Sequence, residues 1–424
     1  MSQIKPFFIN SNICTDNDDI STLDNFMNSV AGNIGNSYIT YALIKTIFGG
    51  LVNINHIKNI YNYDFSKQDR DIDLINNECS HVFLILQDQI RINESYNLKL
   101  PYLNLINFIK KLNKPIIIAG LGANSLKGYD INFHTKLDTN LINFLKQLAE
   151  YTEIIGVRGY FTQEILSNLG INNTEVIGCP SYYEMGRDRI ISKKEYSKDF
   201  KVLFSNELYN DLGKRSNIIL QDEKKLIDII AFQQNYYVNL THNQLYVLLQ
   251  KKFYTFSDIK SWKAYVSQFD FLLGQRLHGA ILALNSGVCS IIMNSDSRSM
   301  ETSEYFKIPY HPNLLNEKNI EKIYEQCNYE ELNKKYPILY NNYMEFLSKN
   351  NLHICDIEDS RDKISYIEQP KLNIYNKFTR IIFILKIKNY MESIFSIKTN
   401  INNIVLRIFG FKITFKKCRK ENKC

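Results

Sequence analysis

Along the body of the chain, short apolar β-branched runs alternate with stretches whose apolar positions recur every three or four residues. Val82 to Leu86, Pro115 to Gly122, Ile154 to Arg158 and Glu175 to Cys179 are predicted as buried strands, and Asn36 to Phe48, Leu100 to Leu112, Leu137 to Tyr151 and Tyr160 to Leu169 as helices. This is the rhythm of a parallel α/β sheet. After a polar stretch from Gly186 to Ser197 the rhythm restarts. Strands are predicted at Lys201 to Ser205, Phe269 to Gly274 and Val288 to Asn294, and helical patterns lie at Glu223 to Phe232, Asn243 to Lys251 and Asp258 to Ser267. The expectation is an α/β fold of two Rossmann-like, doubly wound domains, residues 1–190 and 191–370. Two such domains face each other across a cleft, with ligands beyond the carboxyl ends of strands.

Length agrees, since 424 residues at about 150 per domain give two or three domains. With 45% hydrophobic and 22% charged residues, disordered and collagen-like classes are excluded. The longest purely apolar run, Ile381 to Leu385, is far short of the roughly 18 residues of a membrane span. Met1 to Ile9 is followed by polar residues instead of an apolar core and cleavage site. The eight cysteines show no Cys-x-x-Cys pair, so neither a zinc site nor a disulfide framework is expected. A cytoplasmic protein fits these features.

Charge separates the tail from the body. Residues 371–424 hold 13 Lys or Arg against Glu392 and Glu421, a local +11 within a total of +7, so the preceding residues carry −4. Within this basic extension Ile374, Phe378, Ile381, Ile382, Leu385 and Ile394 recur at helical spacing, and Phe409, Phe411, Ile413 and Phe415 alternate as in a strand. Two readings stay open: docking on an anionic membrane face, or packing on the body. Nucleic acid is not expected, because no stacking motif accompanies the charge.

Candidate chemistry lies where strands hand over to helices. Gly32 to Ser37 precedes a helix, so Gly35 and Asn36 either approach an anion or cap that helix. Gly120, Gly122 and Asn124 follow an apolar strand, as a ligand loop or a plain strand exit. Arg158 ends another strand among Ile154, Ile155, Val157 and Phe161. A partly buried guanidinium there calls for an anionic partner, ligand or structural. The most informative segment is Gln275-Arg276-Leu277-His278, at a strand's carboxyl end and a helix start. Arginine forks onto carboxylate or phosphate, and histidine moves protons near neutrality. After the next strand, Asp296, Arg298 and Glu301 either contact substrate or shape a loop and its helix cap. Asp71-Ile72-Asp73 reads as a solvated loop triplet, and His353-x-Cys355 as incidental.

Taken in order, Gly32 to Asn36, Val157-Arg158 with Glu164, Leu166 and Leu169-Gly170, Gly178-Cys179-Pro180-Ser181 and Gln275 to His278 resemble the landmarks of polysaccharide pyruvyl transferases over roughly residues 30–310. The resemblance implies a GT-B-like pair of domains, acceptor side first and donor side second. It also implies transfer of a pyruvyl group from phosphoenolpyruvate, a co-substrate, to saccharide hydroxyls as a cyclic ketal, without a cofactor or metal. Arg158, Arg276, Leu277 and His278 match the family's donor-binding and catalytic positions. The implied acceptor is a lipid-linked or nucleotide-activated saccharide of capsule or exopolysaccharide assembly, at the inner face of the membrane. Two positions depart from the pattern: Asn36 and Cys179 stand where many members have aspartate. Two other readings remain, a GT-B glycosyltransferase using a nucleotide sugar and a non-catalytic saccharide-binding member.

Overall fold

The computed structural model describes residues 4–13, 28–49, 58–60, 69–92, 102–126, 128–206, 218–221, 253–312, 320–352, 354, 395–399, 403–408 and 411–416. Two compact units are present, Met1–Asp19 with Asp24–Lys363, and Ile20–Leu23 with Ile364–Cys424.

The first unit contains two sheets. One is built from β1 (Pro6–Ile9), β2 (Lys58–Ile60), β3 (His81–Leu84), β4 (Ile116–Leu121), β5 (Ile155–Val157) and β6 (Thr174–Val176), in the spatial order β2-β1-β3-β4-β5-β6. Every pair is parallel. The order reverses direction between β1 and β3, which places a ligand crevice beyond their carboxyl ends. All six residues of β4 are buried, as expected of a central parallel strand covered on both faces. The helices α1 (Ile34–Phe48), α2 (Asp69–Glu78), α3 (Tyr102–Ile109), α4 (Thr139–Glu150) and α5 (Tyr160–Asn168) accompany this sheet. Side chains of Asn33 and Asp138 cap α1 and α4 by accepting from backbone N–H groups in their first turns.

The second sheet holds β7 (Val202–Asn206), β8 (Ile218–Gln221), β9 (Phe253–Thr255), β10 (Phe271–Gly274) and β11 (Cys289–Ile292), ordered β11-β10-β7-β8-β9. With it come α6 (Ile259–Val266), α7 (Leu277–Asn285), α8 (Ser297–Phe306), α9 (Ile320–Gln326) and α10 (Glu330–Lys349). β7, β10 and β11 run parallel, but β8 pairs antiparallel with both β7 and β9. The doubly wound expectation for this half therefore gives way to a mixed sheet. Each residue of α7 is buried, so its small and apolar composition reflects burial all round.

Among the described residues, the expected strands and helices of the body are present, with ends shifted by a few residues. β1, β2, β8 and β9 were not expected. The Asp71-Ile72-Asp73 triplet lies within α2 and not in a loop. The expected helices at 223–232 and 243–251, the helical pattern of the tail, and His353 with Cys355 lie outside the described residues. No described helix is long and apolar enough to cross a membrane.

In the second unit, β12 (Phe395–Thr399), β13 (Asn403–Ile408) and β14 (Phe411–Lys416) form an antiparallel sheet. Its register aligns Ile397, Leu406 and Ile413 in one row and Ser396, Arg407 and Lys412 in the next. The strand alternation expected from Phe411 to Phe415 is thus present, within a larger sheet.

A buried carboxylate joins the elements of the first unit. Glu184 follows the short helical turn Pro180–Tyr183 and accepts from Tyr38 Oη at 2.8 Å, Lys45 Nζ at 2.9 Å and Lys263 Nζ at 2.6 Å. Burial alone would raise its pKa, but Lys263 and then Lys45 override this and hold it below the usual carboxylate range. Asn285 Nδ2 in turn donates to Tyr38 Oη and to Ser181 O, and Arg189 Nη1 donates to Asn285 Oδ1. The network ties α1 to α6 and α7, and so one sheet's layer to the other's.

Glu184→Ala leaves buried cations without their counter-charge, and the expected loss of stability is about 3–5 kcal/mol in urea unfolding. Because the folded-state pKa is depressed, the carboxylate's contribution is present above about pH 4.3 and fades as pH falls through the lower folded value. A variant as stable as wild type at pH 7 would show that the network is dispensable.

Candidate functional site

The carboxyl ends of strands from both sheets converge on one buried cluster. Immediately after β5 stands Arg158, whose backbone N–H donates to Leu121 O at 2.9 Å and so fixes it beside the end of β4. Its side chain is 1% exposed. Nε and Nη2 are buried with no hydrogen-bond partner among the described residues. Room for the guanidinium's stem comes from Gly122, since a Cβ there would lie 3.0 Å from Arg158 Cδ. Gly120, at φ +83°, lets the chain pass Pro180, whose Cδ would be 2.7 Å from an added Cβ. Both glycines thus serve close packing.

On the other side, β10 ends at Gly274, and the N–H groups of Gln275 and Arg276 donate to Ser205 O at the end of β7. Arg276 occupies the N-cap position of α7 without using its side chain as a cap. Leu277 and His278 form the first turn of α7, and both are buried. His278 Nε2 lies 3.6 Å from Cys179 Sγ, which also lies 3.1 Å from Ser181 Oγ. The other face of the ring packs on α1: a Cβ on Gly35 would come within 2.5 Å of His278 Nδ1. Gly35 is therefore the residue that lets the helix N-terminus approach the imidazole. Asn36, by contrast, turns its amide back onto Ala31 O at 3.1 Å; its observed work is local.

Burial lowers the pKa of His278 well below the usual imidazole value, Arg158 and Arg298 push it down further, and Asp88 opposes them by more than Arg276 adds. The sequence expectation of a histidine poised near neutrality is corrected here. In the ligand-free protein His278 is a neutral imidazole at pH 7, able to accept a proton and unable to supply one as imidazolium.

Two acidic groups complete the cluster's polar wall, Asp296, already a candidate, and Asp88, which the sequence reading did not select. Asp88, in the turn after β3, accepts from Asn124 Nδ2 at 2.9 Å and Arg298 Nη1 at 3.0 Å, and pairs with Arg91. Burial would raise its pKa, but Arg91, Arg298 and Arg158 hold it well below the carboxylate range. Asp296 caps α8 by accepting from Ser299 N at 2.7 Å and accepts from Arg298 Nη2 at 2.8 Å. Asn124 and Arg298 thus meet through Asp88. Missed as well was Ser297, which accepts from Ser125 N at 2.8 Å and donates to Ala123 O at 3.1 Å. It stitches the end of β4 to the start of α8. A signal for Asp88 was available: it lies two residues beyond the apolar run Val82 to Leu86.

Glu301, on α8, is 2% exposed and faces the first turn of α5. It accepts from Thr162 N at 3.0 Å and from Thr162 Oγ1 at 2.8 Å. Thr162 Oγ1 also accepts from Ala123 N at 2.8 Å. Burial raises the pKa of Glu301 to about 8, against the lowering effect of Thr162's hydrogen bonds and of Arg158. The carboxyl is protonated at neutral pH.

The structure therefore gathers Arg158, Arg276, Leu277, His278, Arg298, Asp296, Glu301, Asn124, Gly35 and Gly122 around one place, with Gly120 and Asn36 in supporting positions. The cluster places more buried positive charge than Asp88 and Asp296 offset, next to a neutral imidazole and the N-terminus of α7. Such an arrangement favours an anion and supplies a base beside it.

A family model described as polysaccharide pyruvyl transferase matches residues 33–297. The match runs from the cap of α1 to the first residue of α8, and so takes in most of the cluster. No curated protein matches the chain. Among solved structures, one titled "S. aureus MnaA-UDP co-structure" aligns over 82% of this chain and 95% of that chain, at 11% sequence identity and a TM-score of 0.38.

A buried guanidinium with unpaired nitrogens is held at a cost to stability. Arg158→Met keeps most of the volume and removes that cost. The expected outcome is a gain of about 1–3 kcal/mol in urea unfolding, in the range seen when buried charges give way to apolar residues. A loss of stability would mean that the guanidinium is compensated in solution.

Proposed function

The chain belongs to the polysaccharide pyruvyl transferase family, and from that premise we propose that it transfers a pyruvyl group from phosphoenolpyruvate to two hydroxyls of a saccharide, forming a cyclic ketal in surface-polysaccharide assembly. The observation that carries the donor assignment is Arg158, almost fully buried with two unpartnered nitrogens and within electrostatic reach of His278, as are Arg276 and Arg298. A donor bearing both a carboxylate and a phosphate would supply acceptors for the two Arg158 nitrogens that find none among the described residues. An anion bound there would also offset the field that keeps His278 neutral.

The chemistry follows from the same residues. Arg158 and Arg276 hold the two anionic groups and neutralise the departing phosphate. The donor's methylene carbon takes up a proton from solvent, balanced by the one that His278 takes in the next step and then returns to solvent, and C2 becomes oxocarbenium-like. An acceptor hydroxyl then adds to C2, and His278, entering as a neutral imidazole, takes the hydroxyl's proton. Phosphate leaves, and the second hydroxyl closes the ring, its proton leaving with the phosphate. Asp88, held ionised by its arginines, is suited to orient an acceptor hydroxyl through hydrogen bonding more than to remove its proton.

The basic residues 371–424 are proposed to bring the chain to an anionic membrane face, where a lipid-linked acceptor would be presented. Sedimentation with phosphatidylglycerol vesicles, but not with phosphatidylcholine vesicles, is expected at low salt and lost at high salt. Equal binding to both lipids would exclude the electrostatic account.

Calorimetry with phosphoenolpyruvate tests the donor. Wild type is expected to bind it and Arg276→Ala to lose at least tenfold in affinity, about 1.4 kcal/mol. Because a bound anion raises the pKa of His278, binding near pH 6 is expected to take up protons, seen as a dependence of the observed heat on buffer ionisation enthalpy. Binding of nucleotide sugars alone would move the protein to the glycosyltransferase reading. Binding of saccharide without any turnover would favour a non-catalytic role.

A further inference from the structure

Sequence position leaves Glu301 open between a substrate contact and a capping role, and both of its oxygens are engaged by Thr162. The helix that begins two residues after Arg158, α5, has Gly159 at its N-cap and therefore no side chain of its own to satisfy the first N–H groups. Glu301 reaches across from α8 and does this in trans, accepting from Thr162 N and Oγ1. The approach is close: a Cβ on Gly159 would meet Glu301 Cβ at 2.6 Å and Oε2 at 2.7 Å. Gly159 is thus the residue that admits Glu301, as Gly122 admits Arg158. Through Thr162 Oγ1 and Ala123 N the same contact reaches the end of β4.

We propose that Glu301 is a positioning residue for donor binding: it fixes the start of α5, and with it Arg158, and its carboxyl sets how much of the Arg158 charge is left for the donor anion. The inference rests on the phosphoenolpyruvate reading above. The groups facing Glu301 are Thr162 on α5, Arg158 at the end of β5, Asp296 at the cap of α8, and Tyr129 in the segment after β4. Tyr129 itself donates to Glu304 at 2.6 Å. Only Arg158 among them is cationic. While Glu301 is protonated, as its upward shift to about 8 provides at neutral pH, it completes the helix end without competing for the guanidinium. Once ionised, it places a negative charge beside Arg158, which weakens the pull on an incoming anion. The sign is therefore a fall in donor affinity as pH rises through about 8, a window in which phosphoenolpyruvate itself is already fully ionised.

The test is titration of the full chain with phosphoenolpyruvate at pH 7 and pH 9, with wild type, Glu301→Gln and Thr162→Val, each first checked for a cooperative thermal transition. Wild type is expected to bind about fivefold or more weakly at pH 9, and Glu301→Gln to keep its pH 7 affinity and show less than about twofold change. Thr162→Val, which loses the hydroxyl link, is expected to bind more weakly at both pH values with the pH dependence retained. The proposal is overturned if wild type shows no fall, if Glu301→Gln keeps the full fall, or if Glu301→Gln folds but no longer binds at pH 7. Wild type that fails to bind phosphoenolpyruvate at pH 7 overturns the donor reading itself, and this proposal with it; a wild type that binds without a pH effect overturns this proposal alone.

Discussion

Burying the Arg158 guanidinium is the constraint around which the first unit is arranged. An ion of that size removed from water costs several kcal/mol unless it is paired and hydrogen-bonded. Here Nε and Nη2 have no partner, so the surrounding structure must enforce the position instead of being rewarded for it. Four features do so. Gly122 leaves space for the stem, the Leu121 carbonyl holds the backbone N–H, Glu301 and Thr162 fix the helix that follows, and Asp88 adds an opposing charge at longer range. Stability given up at such a position is commonly the counterpart of function.

Enforcement of this kind needs the two sheets to be rigidly registered, and the buried polar contacts between them supply that. The Glu184 group of Tyr38, Lys45 and Lys263 joins α1 to α6. Ser297 joins the end of β4 to α8, and Arg298 bridges Asp88 and Asp296. Apart from Glu184–Lys263, 79 residues apart, and Arg298–Asp296 at a helix cap, each link spans more than a hundred residues of the chain. Buried and satisfied networks specify one arrangement more than they add net stability. Their effect here is geometric: Arg158 comes from one sheet and His278 from the other, and a small slip between them would undo the cluster.

Much of this was legible in the sequence wherever a side chain's role follows from its place on an element. The buried strands β3, β4, β5, β10 and β11 announce themselves as apolar β-branched runs, and Arg158, Arg276 and His278 stand where such runs end. β1, only Pro6 to Ile9, is too short a run to separate from an ordinary apolar patch, and β2, Lys58-Asn59-Ile60, has no apolar alternation at all. Their strand character comes from pairing with neighbours, which single-chain patterning does not carry. Asp88 was legible by the same strand-end argument but was not read that way. Thr162 and Ser297 were not legible, because a hydroxyl's partner is set by tertiary approach. Glu301 stayed open between substrate contact and capping role for the same reason: sequence spacing places it near the site but does not reveal its contact with Thr162. The reversed strand β8, antiparallel to both its neighbours, overturned the doubly wound expectation for the second sheet, since alternation of short apolar runs does not encode strand direction.

The state of His278 shows why the charged residues have to be considered together. Read alone, an imidazole at a helix N-terminus is a group with a pKa near neutrality. Burial and three arginines move it down, so His278 is a neutral imidazole and a weaker base than a free one. An anion seated among the same arginines would cancel part of that field and strengthen the base at the moment a hydroxyl has to be deprotonated. On the proposed reading, the buried positive charge would have two consequences from one arrangement: it would draw an anion in, and it would make the imidazole's proton affinity depend on that anion. Apolar walls would give neither effect, and a permanently paired Arg158 would give only the second in a weaker form, because less uncompensated charge would remain for the anion to cancel.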